Sequence, residues 1–263
     1  MHVRYGKYIC LVLALGLVLT LEAGLVLATK VAETEVESVT VFLEQIKDTI
    51  VFAQVTKDTP AYDDWGQTKK KIGEFGQGET VEIVRDRAFE WYYVRADDGR
   101  EGWISVHSIL IPSDPQTNEE WLPNFALEAY VNSKGLTSKT DQLVWVDLDR
   151  QLTHVFMGKQ GNWKLLHTMP CSTGKNVSPT LRGIHEIAER GEWFFTERLA
   201  RGGQNWVQFA GPYMFHSLPM DEQRNIMDYT LLERRSSGCI RLSMEDSAWF
   251  YSFIKRRSTV FVN

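Results

Sequence analysis

Cys239 stands in the run Ser236-Ser237-Gly238-Cys239-Ile240-Arg241, and His216 precedes it in Tyr213-Met214-Phe215-His216-Ser217. A thiol, an imidazole and a guanidinium in that company suit acyl transfer: a nucleophile, a base to deprotonate it and a cation for an acidic substrate. A free cysteine titrates near ~8.5 and is mostly protonated at neutral pH, and a neighbouring imidazolium lowers that value. Cys239 is therefore expected to be a low-pKa thiol that alkylates quickly at mildly acidic pH. Gly238 before it points to close backbone approach or an unusual backbone angle. Backbone N–H groups around Gly238 and Cys239 are candidate oxyanion donors, and Arg241 can grip a carboxylate with two hydrogen bonds.

These residues need rigid supports. Tyr213 to Phe215 reads as a short strand that aims His216 from its end. Residues 218–235 are long and charged, more like a lid or substrate-binding loop than a tight hairpin. After the cysteine, Ser243 fits a helix N-cap with Glu245 and Asp246 in the first turn. Trp249, Phe250, Phe253 and Ile254 offer a buried face, and Lys255-Arg256-Arg257 are expected to end that helix favourably.

Upstream, residues 49–113 alternate short apolar runs with Gly, Asp and Pro, the pattern of a small all-β unit. Thr80-Val81-Glu82-Ile83-Val84 alternates, Trp91-Tyr92-Tyr93-Val94-Arg95 is strand-like, and Asp97-Asp98-Gly99-Arg100 reads as a turn because Asp-Gly supplies positive φ. Gly102-Trp103-Ile104 then returns as a strand. Residues 114–139 form a linker opening on Ser113-Asp114-Pro115, with a connecting segment at 121–136 that shows no strong period. Residues 29–48 carry Val36, Val39, Leu43 and Ile46 on one helical face, a stalk or packing helix.

The N-terminus, residues 1–28, is basic at His2, Arg4 and Lys7, apolar from Tyr8 to Leu21, and offers a small-residue cleavage site at Val26-Leu27-Ala28. It is either a cleaved signal peptide or a retained membrane anchor. Both place the rest of the chain outside the cytoplasm. Cys10 lies inside the apolar run, too early for lipid attachment. Cys171 and Cys239 could close a disulfide in an exported protein, but Cys171 is expected to be a packed strand cysteine. The net charge of −5 gives no global basic signal for nucleic acid. His154, His167 and His185 lie at spacings without metal-ligand logic, so no zinc is predicted.

The chain resembles the L,D-transpeptidase catalytic family of bacterial cell-wall enzymes over roughly residues 140–263. Its pattern, a histidine followed by S-x-G-C-[IV]-[RN], is met by His216 and "SSGCIR". "LVWVDLDRQLTHVFMG" is similar to the opening strand pair, "MPCSTGK" with "SPTLRGIHEI" to the stretch that follows, and "MEDSAWFYSFIKRRSTVFV" to the closing helix and strand. Residues 49–113, through "GETVEIV", "WYYV" and "DDGREGWI", resemble a bacterial Src-homology-3-like domain, which would bind wall or peptide or simply act as a spacer.

The resemblance implies a mainly β fold: a small barrel, then a β-sandwich-like catalytic domain with few helices at 140–263. It implies Cys239 as nucleophile, His216 as base, and a Ser217 carbonyl that orients the histidine. Ser236, Ser237, Gly238, Arg241 and Tyr213 would surround the substrate. Many members carry histidine where Ser237 stands, and the usual "TPxG" reads "SPTLRG" here, with Pro179 and Gly183 kept. The implied chemistry is cofactor-free acyl transfer on peptidoglycan stem peptides in the cell wall, with carbapenems as inhibitors. Water in place of an amine acceptor would give an L,D-carboxypeptidase. Papain-like enzymes reverse the Cys–His order, and sortases place their arginine further along. A non-catalytic wall-binding protein is the remaining alternative, and the intact His216, Gly238, Cys239 and Arg241 speak against it.

Overall fold

The computed structural model describes residues 39–263. The leader or anchor expected at residues 1–28 and the first part of the helix expected at residues 29–48 lie outside them, while residues 39–44 are helical. No helix among the described residues is long and apolar enough to cross a membrane.

Residues 47–263 form one compact unit built on two sheets. The first takes its strands from β1 (Phe52–Val55), β2 (Thr59–Tyr62), β3 (Lys71–Phe75), β4 (Thr80–Arg87), β5 (Trp91–Arg95), β6 (Glu101–Ser105) and β7 (Ile109–Leu110). Their order is β3-β2-β6-β5-β4-β1-β7. Alternation along β4 and β5 puts Val81, Ile83, Tyr92 and Val94 inward, where Val55, Phe75 and Ile104 join them in one core. The expected turn between β5 and β6 is present: Gly99 sits at φ 85° and donates its N–H to the Ala96 carbonyl.

The second sheet contains β8 (Gln142–Asp147), β9 (Leu152–Lys159), β10 (Asn162–Ser172), β11 (Gly183–Glu186), β12 (Arg190–Thr196), β13 (Arg201–Ala210), β14 (Tyr213–His216), β15 (Ile240–Leu242) and β16 (Thr259–Val262). Its order is β11-β16-β8-β9-β10-β15-β14-β13-β12. Every residue of β8 is buried, which explains its unbroken apolar run. The neighbouring pairs are antiparallel except β8 with β16 and β14 with β15. The mainly β architecture with few helices is the one expected.

Two helices accompany this sheet. Residues 121–136, expected only to connect, contain helix α1 (Asn124–Ser133), which buries Ala126, Leu127, Tyr130 and Val131. It docks on β10 through Asn132, whose side chain bonds both the N–H and the carbonyl of Trp163. Tertiary packing makes this helix despite its weak periodicity. Helix α2 (Met244–Phe253) starts as expected: the Ser243 hydroxyl accepts the Asp246 N–H at 2.9 Å. It ends at Phe253, one step short of the basic run. Lys255, Arg256 and Arg257 instead pair with Asp141, Glu189 and Glu186.

Candidate active site

The site forms where β14 and β15 run parallel. Phe215 is in register with Ile240 and His216 with Arg241, so Cys239, one residue before β15, comes beside Met214. A cavity of about 270 Å³ is lined by Tyr213, His216, Ser236, Ser237, Cys239 and Arg241. Of the remaining expected residues, Ser217 is fully buried behind the histidine and Gly238 is buried behind the tyrosine.

His216 is held from three sides. Its Nδ1 lies 2.7 Å from the Ser217 carbonyl. Only a protonated nitrogen can donate to a carbonyl, so the neutral ring carries its lone pair on Nε2. Phe194 meets the ring edge-on with centroids 5.1 Å apart. Gly203 lies alongside, and a Cβ there would come within 2.7 Å of Nδ1. Ser217 is itself fixed, its hydroxyl accepting the Gln204 N–H and donating to the Leu218 carbonyl.

The cysteine turn is equally constrained. Gly238 has φ 99°, and a Cβ on it would stand 2.5 Å from the Tyr213 ring, so both backbone angle and space exclude a side chain. The Ser236 hydroxyl donates to the Cys239 carbonyl at 2.5 Å and accepts the Gly238 N–H at 3.1 Å. That N–H, one of the candidate oxyanion donors, is therefore engaged by Ser236. Thr180 ties the turn to the "STGK" strand end, donating to the Gly238 carbonyl and accepting the Gly174 N–H.

The electrostatics depart from the expected low-pKa thiol. Burial pushes the Cys239 thiol above its ordinary value, against the opposing pull of the Met214 N–H and the Arg241 charge. Burial, reinforced by Arg241, lowers His216 to about 4, against the bond to Ser217. Both shifts favour the neutral forms, a thiol and an imidazole that line the same cavity. Arg241 is almost fully buried, with Asp228 at 3.3 Å. Asp228 belongs to the 218–235 loop, which is pinned to the end of β10: Leu232 N–H donates to the Cys171 carbonyl, and the Ser172 hydroxyl to the Thr230 carbonyl.

Cys171 is a packed strand cysteine of the main core, as expected. Both described cysteines are free. His154, His167 and His185 sit apart with separate partners, Thr168, Asp246 and the Leu181 carbonyl. Sequence reasoning missed Phe194, Gly203 and Asp228, which reach the site only through tertiary packing. It also missed Asp86, Arg87, Ala88 and Phe89, a wall of the cavity contributed by the first sheet.

Residues 141–262 match the model of the YkuD family, the L,D-transpeptidase catalytic domain. The Bacillus subtilis protein YciB, which carries a provisional L,D-transpeptidase name, is 30% identical over 129 residues, 46% of this chain and 66% of that protein. A fused Zn-dependent amidase/peptidase/peptidoglycan-binding domain-containing protein from Clostridium acetobutylicum is similar at 25% identity and a TM-score of 0.44, covering 56% of this chain and 66% of that one. An L,D-transpeptidase from Stackebrandtia nassauensis is similar at 19% identity and a TM-score of 0.39, covering 54% and 67%. The matched part spans just under two thirds of the length of the first two relatives.

Proposed function

We propose, from the match of residues 141–262 to the L,D-transpeptidase catalytic-domain family, that the protein is a cysteine-dependent acyltransferase acting on peptidoglycan stem peptides. The observation that carries this reading is the pairing of Cys239 with a histidine whose Nδ1–H is bound to the Ser217 carbonyl, both lining one cavity.

His216 Nε2 takes the thiol proton as Cys239 Sγ attacks the carbonyl of the L-stereocentre of the third residue in a tetrapeptide stem. The tetrahedral intermediate collapses with cleavage of the peptide bond, and the imidazolium protonates the departing amine of D-alanine. A thioester remains on Cys239. An amine on the third residue of a neighbouring stem, deprotonated by His216, then attacks the thioester and releases the thiol, leaving a cross-link between two third residues. Water in place of the amine gives carboxypeptidase action at the same atoms. Arg241, held by Asp228, supplies positive charge at the cavity.

The basic and apolar N-terminus supports an extracytoplasmic location, at the cell wall or the outer face of the cytoplasmic membrane. Wall remodelling is the corresponding role. The test is mass spectrometry of a disaccharide-tetrapeptide incubated with the enzyme. Loss of D-alanine with formation of a dimer is expected, and Cys239→Ala yields neither. Loss of D-alanine without dimer assigns water as acceptor, and an unchanged substrate refutes the acyl-transfer reading.

A further inference from the structure

The cavity that holds Cys239 is not made by the second sheet alone. Asp86 and Arg87, at the end of β4, with Ala88 and Phe89 in the turn that follows, form one wall, and Arg198, Leu199 and Arg201 form another. The turn is fastened in place. The Ser178 hydroxyl donates to Asp86 Oδ1 at 2.6 Å, and the Tyr92 hydroxyl donates to the Val177 carbonyl at 2.9 Å.

Both walls carry backbone strain. Ala88 and Phe89 have φ of 57° and 63°, and Ala200, between the two arginines, has φ 47°. None of them is glycine or asparagine, the residues such conformations favour. Strain of this kind persists where the surrounding structure uses it. At the turn, the Glu90 N–H closes on the Arg87 carbonyl, and Phe89 is left more than one third exposed.

The charge is also one-sided. Arg87, Arg198 and Arg201 are exposed, and among the described residues none of them makes an ion pair with a carboxylate. Arg87 rests its guanidinium over the Trp65 ring at 5.4 Å, which leaves its hydrogen-bond donors free for an anion. Asp86, the one acidic lining residue, is already occupied by Ser178 and the Phe89 N–H. Arg201 reaches electrostatically as far as Arg241, whose charged form it disfavours after burial has done so. An acidic chain of net charge −5 thus concentrates four arginines around one cavity.

We propose that the β4–β5 turn is a substrate-recognition element of the cleft, and that Arg87, with Arg198 and Arg201, holds a carboxylate of an acidic peptide whose scissile carbonyl lies at Cys239. The class of peptide rests on the acyl-transfer reading; the carboxylate site rests on the walls themselves. Arginine forks suit carboxylates because two N–H donors match two oxygens. The first sheet then selects substrate at the reaction centre and is no spacer.

The test is calorimetric titration of Cys239→Ala protein, which cannot turn over, with a stem tetrapeptide in free-acid form and with its carboxylates amidated. The free acid is expected to bind more than about tenfold tighter. Adding Arg87→Ala should weaken the free acid about tenfold, leave the amidated peptide unchanged and so collapse the discrimination, with Arg87→Lys intermediate. Replacing Ala88-Phe89 by Asn-Gly should raise the melting temperature while weakening binding, because the strain is relieved and the Phe89 side chain is removed from the cavity wall. Undiminished discrimination in the Arg87→Ala protein, or no binding of either peptide by the parent, overturns the proposal. Discrimination without turnover by the wild-type enzyme would leave this site standing and remove the acyl-transfer reading; turnover with undiminished discrimination in the Arg87 variant would do the reverse.

Discussion

The second sheet and the turn that leads into β15 carry two free thiols, Cys171 buried and Cys239 partly buried, and two buried imidazoles, and one of each lines the cavity. Cys171 and His154 lie in the interior strands β10 and β9, both with no exposed surface. Burial pushes the Cys171 thiol up to about 12 and lowers His154 to about 3. Cys239 and His216 are shifted in the same directions, so the direction of the shift does not mark the site. Two other features do. Cys239 and His216 open on a shared cavity, and a backbone carbonyl fixes the His216 tautomer. The Nδ1 of His154 meets only the Thr168 hydroxyl, which satisfies either tautomer, and its Nε2 is buried without a partner. Burial silences a titratable group; approach and orientation make it usable.

The sharpest way to break this contrast is to exchange the cysteines' fates. Cys239→Ala should lose turnover altogether, while Cys171→Ala should keep it and lose stability by about 1–2 kcal/mol, measured by denaturant unfolding. Next comes the base. His216→Gln should cut turnover by roughly 10²–10⁴-fold in kinetic assays, and His154→Leu should leave it near wild type. Gly238→Ala should slow turnover about tenfold or more and destabilise by about 1–3 kcal/mol, because a positive φ and the Tyr213 ring both oppose a Cβ.

A separate effect, on stability alone, is read in pH. Both imidazoles have folded-state pKa values below the unfolded ~6.5, so the unfolded chain binds protons that the folded one refuses. Stability contributed by the neutral rings is present above pH ~6.5 and is lost as pH falls, down to about 4 for His216 and about 3 for His154, at roughly 1.4 kcal/mol per unit for each ring. Unfolding free energy measured across that window should fall, and His154→Leu should roughly halve the slope. A flat profile would contradict the buried neutral state of both.

That His216, Cys239 and Arg241 would line one cavity was legible from local residue type and order: histidine at a strand end, then glycine and cysteine at a turn. Strands β4, β5 and β6 of the first sheet were legible from alternation and Asp-Gly. What escaped has a physical cause in each case. Helix α1 is held by Asn132 and Trp163 across a long sequence gap. Asp228 earns meaning only beside Arg241. The raised thiol reflects burial, which no local pattern encodes. Ala88-Phe89 gave no signal at all, since the residues are wrong for the turn they make, and strained turns of this kind are read from structure.

The central claim is that Cys239 is an acylable thiol served by His216. It is tested most directly by intact-protein mass spectrometry after incubation with a carbapenem under reducing conditions, a strained lactam that a competent nucleophile opens into a stable adduct. One adduct on the wild-type chain, absent from Cys239→Ala and retained in Cys171→Ala, is the predicted result. No adduct while Cys239 is demonstrably reduced, or an adduct that survives Cys239→Ala, would contradict it.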